Sequence, residues 1–102
     1  MTRYRVVVGS TYWTLTGVNI FSANLVRDLN ASGISSHVLL TEQKTRLVTI
    51  YDPFMDLPED VPFEYLPVQP KDSWGAHWGA LIRYLEELAP CVYIPNADWR
   101  HS

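Results

Sequence analysis

The stretch from Arg5 to Gly33, RVVVGSTYWTLTGVNIFSANLVRDLNASG, constrains the fold more than any other part of the chain. Val6, Val7 and Val8 form a short β-branched run, the pattern of a strand covered on both faces in a parallel sheet. Gly9 ends that run, and Gly17 stands where a helix begins. From Val18 onward, Phe21, Leu25, Val26 and Leu29 recur on one face at helical spacing, and Gly33 suits the left-handed position that closes a helix. Strand, loop and helix start, in that order, make a site where phosphate or another anion can meet free backbone N–H groups.

The rest of the chain reads as support for this unit. His37–Leu40 (HVLL) is a second strand, which implies a compact βαβ unit with parallel pairing and a right-handed crossover. Between Thr41 and Pro62 the pattern is irregular, with Pro53, Pro58 and Pro62 and several acids. Leu47–Tyr51 could add a short strand there, but the prolines after it favour a long loop, functional or mobile. Phe63–Leu66 is a third strand. Asp72 or Ser73 then caps a second helix, whose Trp74, Trp78, Leu81, Ile82, Leu85 and Leu88 form a core-facing stripe that ends at Pro90. Cys91–Ile94 is the fourth strand.

This layout predicts one α/β domain over residues 1–102: a three-layer, Rossmann-like parallel sheet in strand order 3-2-1-4. Ligands of such sheets bind beyond the C-terminal strand ends, where the strand order reverses. The loop Ser10–Gly17 and the tail Pro95–His101 should meet there.

Composition removes several classes of function. A net charge of −3 with interspersed signs leaves no electrostatic footprint for nucleic acid or an anionic membrane. No apolar stretch approaches the length of a membrane span, and no signal pattern opens the chain. Cys91 is the single cysteine, so no internal disulfide forms; a free thiol in a strand suits a reducing, cytoplasmic setting. His37, His77 and His101 lack the spacing of a zinc set, and His37 and His77 read as structural. The aromatics Tyr12, Trp13, Trp74, Trp78 and Trp99 sit near element boundaries, where they either line a groove or partner surface or fill the core.

The first loop is no dinucleotide fingerprint: it holds no G-x-G-x-x-G, and no Walker lysine follows. Thr14, Thr16, Gly17, Val18 and Asn19 remain, small or hydroxylic residues that let backbone N–H groups face a ligand oxygen. The competing role is simpler: Thr16 caps the helix and Gly17 serves the turn. In the tail, Asn96 and Asp98 can bind sugar hydroxyls, Trp99 can stack on a sugar face and Arg100 can pair with phosphate; the competing role is an exposed polar turn. Asp98, His101 and Ser102 lie too close in sequence for a catalytic triad, and no nucleophile elbow is present.

The run Gly17–Gly33 with the strand after it, together with Tyr93–Trp99 (YIPNADW), resembles the N-terminal domain of family-4-type glycosyltransferases. Those are retaining enzymes of GT-B fold, with two Rossmann-like domains and an active site in the cleft between them. The resemblance implies transfer from a nucleotide-sugar donor to an acceptor, without a further cofactor or a metal. It would place Thr16, Gly17, Val18 and Asn19 at donor phosphates or acceptor hydroxyls, and Asn96, Asp98 and Trp99 at the acceptor. No residue of this chain is expected to be catalytic. The paired glutamates and most nucleotide-sugar contacts of such enzymes belong to a C-terminal domain. The chain is therefore expected to be about half of an N-terminal, acceptor-side domain, inactive alone, whose open sheet edge drives homodimer formation. The alternative is a stand-alone binding or assembly module of the same fold.

Overall fold

The computed structural model describes residues 4–11, 13–14, 16–41, 56–68 and 72–98. The elements follow in the order β1 (Arg5–Ser10), α1 (Gly17–Ala31), β2 (Ser36–Leu40), β3 (Phe63–Tyr65), α2 (Trp74–Leu88) and β4 (Cys91–Ala97). All strand pairs are parallel, and the sheet order is β3-β2-β1-β4, as the alternation of strands and helices predicts. The possible strand Leu47–Tyr51 lies outside the described residues.

Strand periodicity explains the layering. Val6 and Val8 of β1 join Val38 and Leu40 of β2 in a cluster with Ala23 and Val26 of α1. Val7 and Leu39 point the other way and join Leu66, Val68, Ala80 and Leu81, the last two from α2. Side chains two apart along a strand share a face, so the two helices cover opposite faces of the sheet. That makes three layers. Val7, Val8, Val26, Val38 and Leu39 are fully enclosed, each burial contributing about 1.5–3 kcal/mol before entropy is charged.

Local signals set the helix ends. Thr16 has extended backbone angles, and its side chain accepts from the Asn19 N–H, which is N-capping. Gly33 has φ of 87°, the left-handed value that glycine adopts at no steric cost. Its N–H donates to the Asn30 carbonyl at 3.1 Å and the Ile34 N–H to the Leu29 carbonyl at 2.9 Å, a Schellman closure with Leu29 and Ile34 packed on the same core. Asn30 then bridges to the next strand: its Nδ2 donates to the Ser36 carbonyl, and its Oδ1 accepts from the Ser36 N–H. Ser73, rather than Asp72, caps α2.

Helical spacing misplaces several apolar side chains. Phe21 is 59% exposed, and the buried face of α1 consists instead of Asn19, Ser22, Ala23 and Val26. A close approach of helix to sheet favours these small groups over an aromatic. In α2, Trp74, Trp78 and Ile82 are exposed while His77, Ala80 and Leu81 are buried. The apolar arc of α2 therefore extends beyond its buried face. Trp13 is the reverse case, a boundary aromatic that lies in the core, its ring edge-on to Phe63 at 5.0 Å.

A candidate ligand site at the C-terminal strand ends

Two polar networks occupy the C-terminal end of the sheet. The first organises the loop from β1 into α1. Ser10 Oγ donates to Asn19 Oδ1 at 2.8 Å, and Asn19 Nδ2 donates to the Thr14 carbonyl at 3.0 Å and to Thr14 Oγ1 at 3.3 Å. Asn19 is 2% exposed, so its amide acts as an internal brace for the loop and not as a contact for a ligand. With the Asn19 N–H taken by the Thr16 cap, the N–H groups of Gly17 and Val18 have no acceptor among the described residues. Both residues are exposed, and a Cβ on Gly17 would meet no atom within 4 Å. This is the open, electropositive end of the helix.

The second network gathers three strand ends around one carboxylate. Asp98 directly follows β4 and is 1% exposed. Its Oδ1 accepts from Thr41 Oγ1 at 2.9 Å and, more weakly, from Thr11 Oγ1 at 3.4 Å; its Oδ2 accepts from the Tyr93 hydroxyl at 2.5 Å. Thr11 follows β1 and Thr41 follows β2, so Asp98 ties together the exits of β1, β2 and β4. Burial, followed by the bond to Asp98, pushes the Tyr93 phenol far above the ordinary tyrosine range. The phenol remains a proton donor at all physiological pH. Ringed by hydroxyls, Asp98 is a structural anchor in this state, and a ligand hydroxyl reaches it only if one of those donors is displaced.

Asn96 connects the two networks. Its Nδ2 donates to the Val18 carbonyl at 3.2 Å and to Ser22 Oγ at 2.8 Å, fastening the last strand to the first turn of α1. The pairing of β1 with β4 shifts register between Val8 and Ser10, and β4 continues through Pro95 to Ala97. The shift places one extra residue in β4, and pairing resumes at Ser10 with Ala97.

The sequence reading named seven residues for this region. Thr16, Gly17, Val18, Asn19, Asn96 and Asp98 converge on it; Trp99 lies outside the described residues, as do Tyr12, Arg100 and His101. Within this set the structure separates exposed groups from braces. Gly17 and Val18 present backbone to solvent, whereas Thr16, Asn19 and Asp98 are engaged in internal hydrogen bonds. Sequence reasoning placed Ser10, Thr11 and Tyr93 in segments near the site without giving their hydroxyls a role, and it passed over Thr41. Thr11 and Thr41 share a signal, a threonine immediately after an apolar strand, a weak one in isolation.

A second polar cluster lies on the α2 face, away from this site. Tyr84 donates to Glu64 Oε2, and its oxygen contacts His37 Nε2 at 2.6 Å. Tyr84 has one proton and gives it to Glu64, so His37 must carry its own proton on Nε2. Desolvation lowers the His37 pKa, opposed by Glu64 and reinforced by Arg5. Burial and the Glu64 bond raise that of Tyr84. This cluster pins α2 to β2 and β3, in keeping with a structural reading of His37.

No protein-family model matches the chain, and no curated protein or solved structure is significantly similar to it. Among the described residues no helix is long and apolar enough to cross a membrane.

Proposed function

We propose that this chain is the acceptor-side part of a glycosyltransferase of GT-B type, binding a phosphorylated or hydroxyl-rich ligand at the start of α1. One observation carries the reading: Asn96 holds the end of β4 against the first turn of α1, whose Gly17 and Val18 N–H groups stay open. In doubly wound sheets this is where sugars and nucleotides lie. The exposed N–H groups suit an anionic or hydroxyl oxygen, and Val18 and Phe21, 46% and 59% exposed, offer apolar surface for a sugar face beside them. Asn19 and Asp98 act through the braces described above, and Asn96 stands on the acceptor side. In this reading the chain contributes binding, and the stabilisation of a leaving phosphate falls to a second domain.

Titration of the 15N-labelled chain with nucleoside diphosphates, nucleotide sugars and simple sugars tests the proposal. Saturable shifts of the Gly17 and Val18 amides and of the Asn96 side-chain amide are expected with at least one of these compounds. Unmoved resonances at all three positions with every compound would sink it.

A second reading, an assembly module of the same fold, is favoured by a different feature. Trp74, Trp78 and Ile82 expose an apolar row on α2, away from the helix start of α1. Under that reading the partner is another copy of the chain, and the cytoplasm is the setting that suits the free Cys91.

A further inference from the structure

We infer that the outer edge of β4 and the adjoining flank of α2 form a self-association surface that receives the same surface of a second copy of this chain. The inference deepens the assembly reading and is independent of the ligand reading. β4 is a terminal strand of the sheet, and its outer edge pairs with no described strand. Beside it, an open groove of about 430 Å³ is lined by Ile82, Leu85 and Glu86 of α2, by Ala89 and Pro90, and by Cys91 and Tyr93 of β4. Glu86 is the single charged residue among the described lining. Trp78 and Trp74 extend the row from Ile82 in steps of four, so they share its flank of the helix. Val92, 45% exposed, presents apolar surface on the opposite face of the same strand.

The chemistry of the surface selects its occupant. Strand N–H and C=O groups that meet no partner among the described residues call for another extended strand, and the apolar row beside them calls for apolar side chains next to that strand. A second copy offers both at once. A two-fold axis perpendicular to the sheet runs β4 antiparallel to its mate and keeps each face with its like face. Residues facing each other must then share a face, which centres the register on a residue and not between two. Pro95 cannot donate, which confines the pairing to Cys91–Ile94 and points to Val92 as the centre.

The area is sufficient for a weak dimer. With a fully exposed aromatic presenting about 150–250 Å², the two half-exposed tryptophans, Ile82 and Val92 leave roughly 300 Å² of apolar surface per copy. Two copies bring together on the order of 600 Å², and with some 60% of an interface apolar this corresponds to about 1,000 Å² in total, the lower limit for specific association. A concentration-dependent equilibrium follows.

Sedimentation velocity on the whole chain, from about 10 μM to about 1 mM, brackets the affinities such an area supports. The expected result is a monomer–dimer equilibrium in the parent chain that Val92→Lys and Ile82→Glu each weaken at least tenfold, with the circular dichroism spectrum unchanged. Trp78→Arg replaces Ile82→Glu if that variant loses its helical signal. A monomer throughout the range overturns the inference, as does a dimer that a folded variant of either element leaves intact. Titration shifts at Gly17 and Val18 report on the ligand reading alone, so the two can fail separately.

Discussion

Gly9 leaves the space that the phenol of Tyr93 fills. A Cβ on Gly9 would overlap the Tyr93 hydroxyl and come within 2.9 Å of its Cε1. The hydroxyl so admitted is the one that donates to buried Asp98. Substituting Gly9 with alanine therefore forces the ring aside and withdraws a donor from the carboxylate. Overpacking of this kind costs about 1–3 kcal/mol. Gly9→Ala should lower the urea midpoint accordingly, with the m-value unchanged. Equal midpoints would show that the ring moves without penalty.

Asp98 accepts from three hydroxyls, and removing it takes an acceptor from each. Asp98→Ala takes a buried acceptor from Thr11, Thr41 and Tyr93, although Thr41 Oγ1 still faces the Ser10 carbonyl at 3.4 Å. Each unsatisfied buried group costs about 1–3 kcal/mol, so the total should exceed that of Tyr93→Phe, which removes one donor and leaves two. Thermal melts of both variants check the ranking, and a smaller loss for Asp98→Ala contradicts it.

The Thr16 cap offers a cleaner test, since little else depends on it. Thr16→Ala should destabilise the chain by about 1 kcal/mol, while Thr16→Ser should lie within a few tenths of the parent. Denaturant titrations of the pair separate capping from any effect of side-chain bulk. If alanine and serine behave alike, the Asn19 N–H is satisfied by water and the cap carries little.

His37 predicts a pH dependence with a definite sign. Its folded pKa lies below the ordinary value of 6.5, chiefly through desolvation. Below about pH 6.5 the unfolded chain therefore binds the proton that the folded chain refuses, and stability falls as pH drops through that window. Glu64 partly offsets the effect and Arg5 adds to it. Urea unfolding between pH 7.5 and 5.5 should show a declining midpoint, and His37→Gln should flatten the decline. A midpoint that rises on acidification would mean that Glu64 wins over burial.

Much of the fold was legible because it depends on local alternation. The valine run of β1, the glycine after α1 and the prolines around α2 each act through nearby backbone geometry, and strand order 3-2-1-4 is the one the alternation of strands and helices suggests. Burial was less legible. Phe21, Trp74, Trp78 and Ile82 sit at helical positions that a periodic pattern assigns to the core, yet which flank a helix buries is set by what packs against it in the fold. Trp13 shows the same limit from the other side, since its place against Phe63 arises from a loop path that no period encodes. At the candidate site, Gly17 and Asn96 could be chosen from chemistry and topology. The division of labour between exposed backbone at Gly17 and Val18 and the buried braces at Asn19 and Asp98 required coordinates.

The hydrogen bond from Asn96 to the Val18 carbonyl joins residues 78 positions apart. Such a contact closes a long loop, and its entropy is charged before the bond returns anything. β1, α1 and β2 can assemble first through nearby partners, while the floor of the site waits for β4. The site is thus among the last parts of the molecule to form and, on the reverse path, among the first to open. In native-state hydrogen exchange, the amides at the start of α1 should exchange through openings that leave the β1–β2 pairing protected.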